Sequence, residues 1–164
     1  MESEYIFYPV LFAGLIIASE IAGYFWHEIF AHHSIIPFVR ETHQTHHNII
    51  DDQAHGDFFY ICFFLSIYFM VLVYLYYKSY ITLILLVILF TGVFFPFLWS
   101  WYVHSAYHIE NHWLNEYEWF RNDKRIHMQH HINPKCNFGI ATHFTDEIMG
   151  TFDYAFPITQ IENK

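Results

Sequence analysis

Charge is scarce in this chain. Only 14% of its 164 residues are Asp, Glu, Lys or Arg, where globular domains carry about a quarter. The basic side chains are the scarcer sign: 7 Lys and Arg against 16 Asp and Glu leave a formal charge of −9. That balance argues against a nucleic-acid partner. Cysteine is nearly absent as well. Cys62 falls in an apolar run and Cys136 in a loop-like stretch, so no disulfide framework is indicated. No low-complexity segment interrupts the chain, and no haem, flavin or iron–sulfur motif is visible in it. A length of 164 residues is one domain's worth, so residues 1–164 are expected to form a single domain.

Apolar residues are abundant instead, at 55% of the chain with 23% aromatic. Three runs reach the roughly 20 residues that a helix needs to cross a bilayer. They are expected at about 5–26, 58–77 and 80–103. The first contains Glu20 and is too long, with the wrong flanks, for a cleavable signal peptide. The third contains Pro96, which predicts a kink. Lys78-Ser79 leaves room only for a tight hairpin between the second and third runs. The expected architecture is an all-α membrane protein of three transmembrane helices with a histidine-rich helical cap. Tyr and Trp at the span ends (Tyr5, Trp26, Tyr76, Tyr77, Trp99, Trp101, Tyr102) suit the two interfaces. Six of the 7 Lys and Arg (Arg40, Arg121, Lys124, Arg125, Lys135, Lys164) lie on one side and Lys78 on the other. The positive-inside rule makes the basic side cytoplasmic and the N-terminus external.

All the histidines fall on that basic side. There are 14, and ten of them form a pattern. The word His-x-x-His-His occurs twice, as His43/His46/His47 and His127/His130/His131, and a spaced pair precedes each copy, His27/His32 and His108/His112. Neutral imidazole is the commonest side-chain ligand for zinc, copper, iron and nickel. Ten rings are more than one ion can use, so the pattern predicts a two-metal site. Residues three and four apart share a helix face, so each His-x-x-His-His word offers its rings to one side. His27 and His32 fit less simply: five residues turn about 140° on an α-helix. A π-type bulge, or flanking the site from either side, would reconcile them.

Several residues stand near the pattern with more than one role open. His104, at i−4 from His108, is a candidate ligand, a partner of a ligand or an interface residue; His143 is a further candidate in the tail. His33 and His55 lie outside the recurring spacing and read as surface groups or extra ligands. Glu20 is an ionisable group inside a span, costly unless paired. Its expected role is to accept a hydrogen bond from a ligand imidazole, the alternative being a structural bond within the bundle. Asp146 either caps a short turn or orients a ligand histidine. The segment Trp113–Ile126, alternating aromatic and charged residues, reads as an interfacial helix over the site or as a solvated connector.

The order His-x4-His, His-x-x-His-His, His-x3-His, His-x-x-His-His resembles the fatty acid hydroxylase / sterol desaturase superfamily of integral membrane oxygenases. The likeness is strongest where 108-HIENH-112 precedes 127-HMQHH-131 and 137-NFGIATHFTDEIMGTF-152. Glu20 seven residues before His27, with three spans in all, is similar to bacterial β-carotene hydroxylases of the same superfamily. His143 and Thr145 depart from the family tail, which more often has tryptophans there. The resemblance implies two iron ions, zinc being a substitute in purified samples, with O2 as cosubstrate. It implies a lipid substrate and an external electron donor of cytochrome b5 or ferredoxin type. The outcome would be hydroxylation or desaturation of a fatty acyl chain or sterol, or hydroxylation of a carotenoid.

Two other classes compete. A metal transporter or storage protein would place its ligands near the bilayer midplane, and the runs contain no histidine. A membrane zinc hydrolase would use His-Glu-x-x-His; His27-Glu28 begins that word, but Ala31 occupies the position of its second histidine.

Overall fold

A computed structural model of the protein describes residues 2–49 and 55–154; Lys164 and the side chains of Tyr5 and His55 lie outside what is described. All the elements among the described residues are helical. Helix α1 (Glu2–Phe25) passes into a π-helical turn, Trp26–His32. Then come α2 (Pro37–Asn48), α3 (His55–Tyr77), α4 (Leu83–Tyr107), a short 3-10 turn (Trp113–Glu116), α5 (Glu118–Ile132) and α6 (Phe144–Met149). Three stretches are long and apolar enough to cross a membrane: Ile6–His32, Phe58–Tyr77 and Leu83–Tyr107. Their outward side chains, such as Phe63, Met70 and Ile84, are exposed, as lipid-facing positions must be.

The spans are tied together at positions the sequence makes special. Pro96 has no N–H, so the carbonyl of Gly92, four residues earlier, loses its helical partner. Ser19 of α1 supplies a substitute, its hydroxyl lying 3.5 Å from the Gly92 oxygen. Gly92 also lets the helices meet closely: a Cβ there would lie 2.9 Å from Leu15. The proline thus sits inside an unbroken α4, with its orphaned acceptor shared with α1. The turn between α3 and α4 ends in a left-handed residue, Ser79 (φ 61°), and the Tyr80 N–H reaches back to the Leu75 carbonyl at 2.9 Å, a helix-stop geometry usually built on glycine. Thr82 then caps α4 by accepting from the Leu85 N–H. Because that turn consumes residues 78–82, α4 begins at Leu83 rather than near Tyr80.

The compact core lies at the histidine end. Val103, Ala106 and Tyr107 from α4 pack on Leu114 and Phe120. The segment Trp113–Ile126 is therefore divided: the 3-10 turn and the start of α5 bury Leu114 and Phe120, while Trp113 and Trp119 stay exposed. Beyond α5, the tail folds back onto α1. The Tyr24 hydroxyl donates to Thr151 at 3.0 Å, and Glu20 accepts from the Thr142 hydroxyl at 3.0 Å.

Candidate metal centre

Ten imidazoles converge in two sets of five. The first set is His27, His32, His43, His47 and His130; the second is His46, His104, His108, His127 and His131, and within each set the ligand atoms lie within 4.8 Å of one another. Helix geometry explains the partition. In α2, His43 and His47 are one turn apart and serve the first set, while His46 serves the second. In α5 the arrangement is inverted: His127 and His131 serve the second set and His130 the first. Each His-x-x-His-His word therefore contributes a pair to one cluster and a single ring to the other. The clusters are adjacent, His47 and His131 stacking at 4.3 Å between ring centroids.

The spacing of five at His27 and His32 is resolved by the π-helical turn that spans both residues. Bonds of the i→i+5 type bring residues five apart close to one face, and the two rings are 5.1 Å apart. Ser34 then accepts from the Ile36 N–H, turning the chain, and Pro37 opens α2 at the helix start, where a missing N–H costs nothing.

Nε2 is the atom that converges in every contact. In the first set the separations are 3.1 Å for His27–His43, 3.2 Å for His43–His32, 3.1 Å for His47–His43 and 3.0 Å for His32–His130. In the second they are 3.0 Å for His46–His104, 2.9 Å for His108–His127 and 3.0 Å for His131–His127. An ion about 2.1 Å from each of two imidazole nitrogens at a right angle places them about 3.0 Å apart. The donor set thus fits a transition-metal ion in each cluster. Two tautomers are fixed by carbonyls, which can only accept. His27 Nδ1–H donates to Phe138 at 2.6 Å and His130 Nδ1–H to Cys136 at 2.7 Å, leaving each Nε2 lone pair directed inward.

Burial keeps the rings neutral. His43, His127 and His130 are held well below the ordinary histidine value, first by removal from water and then by neighbouring imidazoles. The same causes lower His131 to about 2. Neutral rings are what a cation requires of them.

Asp146 supports the first cluster from one step away. It is fully buried and touches no ligand ring at hydrogen-bond distance, so of the two roles open to it the direct one on a histidine is not the one this geometry has. Its carboxylate accepts from the backbone N–H groups of Phe138 (2.8 Å) and Gly139 (2.7 Å) and from the Thr151 hydroxyl (2.8 Å). It fixes the loop whose Phe138 carbonyl holds His27. Gly139 is required there: a Cβ would collide with the Thr142 carbonyl and lie 2.7 Å from Asp146 Oδ2.

The other candidates fall as follows. His112 is brought to neither cluster, and His104 stands in the second set instead. The helix ends at Tyr107: the N–H groups of His108 and Ile109 close on the Ser105 and Ala106 carbonyls at 3.2 Å, and beyond them Lys124 donates to the Ile109 carbonyl at 3.0 Å and Asn115 to that of Glu110 at 2.7 Å. The stripe His104–His108–His112 is cut after its second member, and His112 Nδ1 instead accepts from the Leu114 N–H. Glu20 bonds Thr142 rather than an imidazole. His143 lies outside both sets, 3.5 Å from Asp123 and 4.0 Å from Asp146. His33 is exposed at the end of the π-helical turn.

The family profile described as fatty acid hydroxylase matches residues 12–151. The chain belongs to this family. No protein of curated function and no solved structure matches it. Fatty acid hydroxylases are in general oxidoreductases of membrane lipids, and two buried histidine sets able to hold metal accord with a metal-dependent oxygenase.

In this chain the two clusters border two dissimilar cavities. One, of about 460 Å3, is walled by α1, α3 and α4 and lined by apolar side chains such as Trp26, Phe64 and Phe97; it ends on His27 and His104, one ring from each set. The other, of about 290 Å3, is polar, and brings Arg40, Gln44 and Asn48 up to His32, His43 and His47.

Proposed function

We propose that the protein is a membrane-bound di-iron oxygenase that hydroxylates or desaturates a lipid, using O2 and electrons from a separate donor of cytochrome b5 or ferredoxin type. The observation that carries this reading is the meeting of the apolar cavity with both histidine clusters at His27 and His104. Iron held there supplies the O2 reduction and C–H oxidation that a hydrocarbon substrate needs. The proposed ligands are His27, His32, His43, His47 and His130 for one ion and His46, His104, His108, His127 and His131 for the other.

The chain's own residues divide the remaining work. Trp26, Phe64 and Phe97 hold the hydrocarbon and exclude water. Phe138 and Cys136 carbonyls orient His27 and His130. The polar cavity beside Arg40 admits water and protons from the side opposite the lipid. That side is cytoplasmic in this reading, because Arg40, Arg121, Lys124, Arg125 and Lys135 share it while Lys78 marks the other face. The described spans and cap act as one domain.

Elemental analysis of purified protein is expected to give close to two metal ions per chain, iron in the active form. Host lipids should gain one oxygen or lose two hydrogens when the intact protein is supplied with reductant and air. His46→Ala and His130→Ala should abolish that change, and His33→Ala should leave it. One ion or none in folded protein, or unaltered acyl, sterol and carotenoid pools, refutes the proposal.

A further inference from the structure

The apolar cavity that ends on His27 and His104 is walled off at both ends but not on one flank. At the histidine end His27, His104 and Ala31 are all buried, and among the described residues Ala31 alone lines both this cavity and the polar one. Toward the midplane, α4 is tied to both of its neighbours. Ser19 of α1 reaches the Gly92 carbonyl, and Tyr68 of α3 donates to the Leu89 carbonyl at 2.9 Å. The flank between α1 and α3 is different: Ala22, Phe30 and Phe64 line the cavity there and are exposed as well.

A seam runs along that flank. Helices α1 and α3 each pack on α4, and the ring contacts that join α1 directly to α3 are both made by Trp26, with Phe64 at 5.3 Å and Tyr60 at 6.2 Å between centroids. One turn toward the midplane from Trp26, the α1 wall drops to Ala22 and Gly23, and both line the cavity. A Cβ added at Gly92 would press on Leu15, but one added at Gly23 would meet nothing within 4 Å. Glycine is unfavourable inside a helix, and at Gly23 the missing side chain leaves open space rather than a close contact. From Ser19 up to Trp26 is seven residues, about 10 Å of helix, so the seam has room for a hydrocarbon chain. A bilayer core holds no water, and what reaches a gap at that depth is the chain of a neighbouring lipid. From His104 to Val93 the cavity follows eleven residues of α4, about 16 Å, which is the depth of one leaflet in a hydrocarbon core about 30 Å thick.

We propose that the seam between α1 and α3 at Gly23 is a lateral entrance, through which one hydrocarbon chain of a lipid already resident in the bilayer passes into the cavity while the rest of that lipid stays in its leaflet. The inference rests on the proposed function for what happens at the histidines, but the route is read without any oxidation. The test uses full-length protein in vesicles of phosphatidylcholine that carries a mid-chain diazirine on one of its two acyl chains. The head group and second chain of that probe are too large for the cavity, so photolabel on Phe97 and Ser100, which line it, reports a chain entering sideways. Label on Met70 and Ile84, which are exposed on the lipid-facing surface, serves as the internal reference. Wild-type protein is expected to carry label at both sets of positions. Gly23→Phe should lower the ratio of cavity label to surface label at least about fivefold, the effect of overfilling a packed site. If that variant fails to fold, Ala22→Leu takes its place with the same expectation. Gly14→Phe, a like change in the same helix at a glycine whose Cβ also meets nothing and which lies outside the cavity lining, should leave the ratio unchanged. No cavity label in wild-type protein, a ratio that ignores the substitution at the seam, or one that falls equally with Gly14→Phe overturns the inference. That result in a protein that still oxidises lipid removes this inference alone; cavity label that depends on Gly23 in a metal-loaded protein that oxidises no lipid removes the proposed function alone.

Discussion

Replacing Asp146 with Asn isolates how the tail holds the first histidine cluster. The substitution keeps size and one carboxyl-type oxygen, which can still accept from Phe138 N–H and the Thr151 hydroxyl. The new amide NH2 then faces the Gly139 N–H across the 2.7 Å now spanned by a hydrogen bond. One buried donor loses its acceptor, which costs about 1–3 kcal/mol, and the two surviving bonds lose their charge. The sum is about 2–4 kcal/mol, a large share of a typical domain's stability. The damage should also be directional. The loop carrying residues 138 and 139 supplies the carbonyl for His27, so metal occupancy of the first cluster should fall before that of the second. Thermal unfolding in detergent reads the stability change, and metal content per chain reads the occupancy, expected to drop from near two toward one. An Asp146→Asn protein with an unchanged melting temperature and two ions per chain would refute the reasoning.

Gly139→Ala should act like Asp146→Asn but more severely, since its Cβ meets the Thr142 backbone as well as the carboxylate; expression yield and melting temperature check this. His104→Ala should lose one metal ion, whereas His112→Ala should keep two and lose only about 1 kcal/mol of stability through the Leu114 N–H cap, as metal analysis and thermal melts will show. Metal-free protein should lose stability on acidification. The folded-state values of His43, His127, His130 and His131 are depressed, so the unfolded chain binds more protons below its ordinary histidine value of about 6.5. The stabilisation is present above that pH and drains as pH falls toward 2, each ring adding up to about 1.4 kcal/mol per pH unit; melts between pH 8 and pH 5 in chelator are expected to show it, and a flat profile contradicts it.

What could be read from the residues was set by local periodicity. Three apolar runs give the three spanning helices, and spacings of three and four place each His-x-x-His-His word on one face. Helix geometry pairs the two rings four apart in each word and turns the third about 60–100° away, but which cluster each joins is decided by the facing helix. His104 was visible as one member of an i, i+4, i+8 stripe. Which two of the three members are used depends on where α4 stops, and the turn that follows is held by Lys124 and Asn115 side chains arriving from beyond it. The hydrogen bond from His27 to Phe138 crosses 111 residues, and the one from Thr142 to Glu20 crosses 122; no local pattern encodes either. A buried carboxylate near the site signals support for it. The sequence does not tell whether that support reaches a ring or a backbone.

The shared words have a consequence for assembly. Whatever ion arrives first must immobilise α2 and α5 together, since His43, His47 and His130 serve one centre and His46, His127 and His131 the other. The ordering entropy of those two helices is spent at that event, and the second ion meets ligands already in place. In the intact protein the first ion thereby eases entry of the second, in the manner of a ligand that rigidifies its neighbour's site. Such coupling would spare the cell a lone metal ion held beside the apolar cavity without its partner.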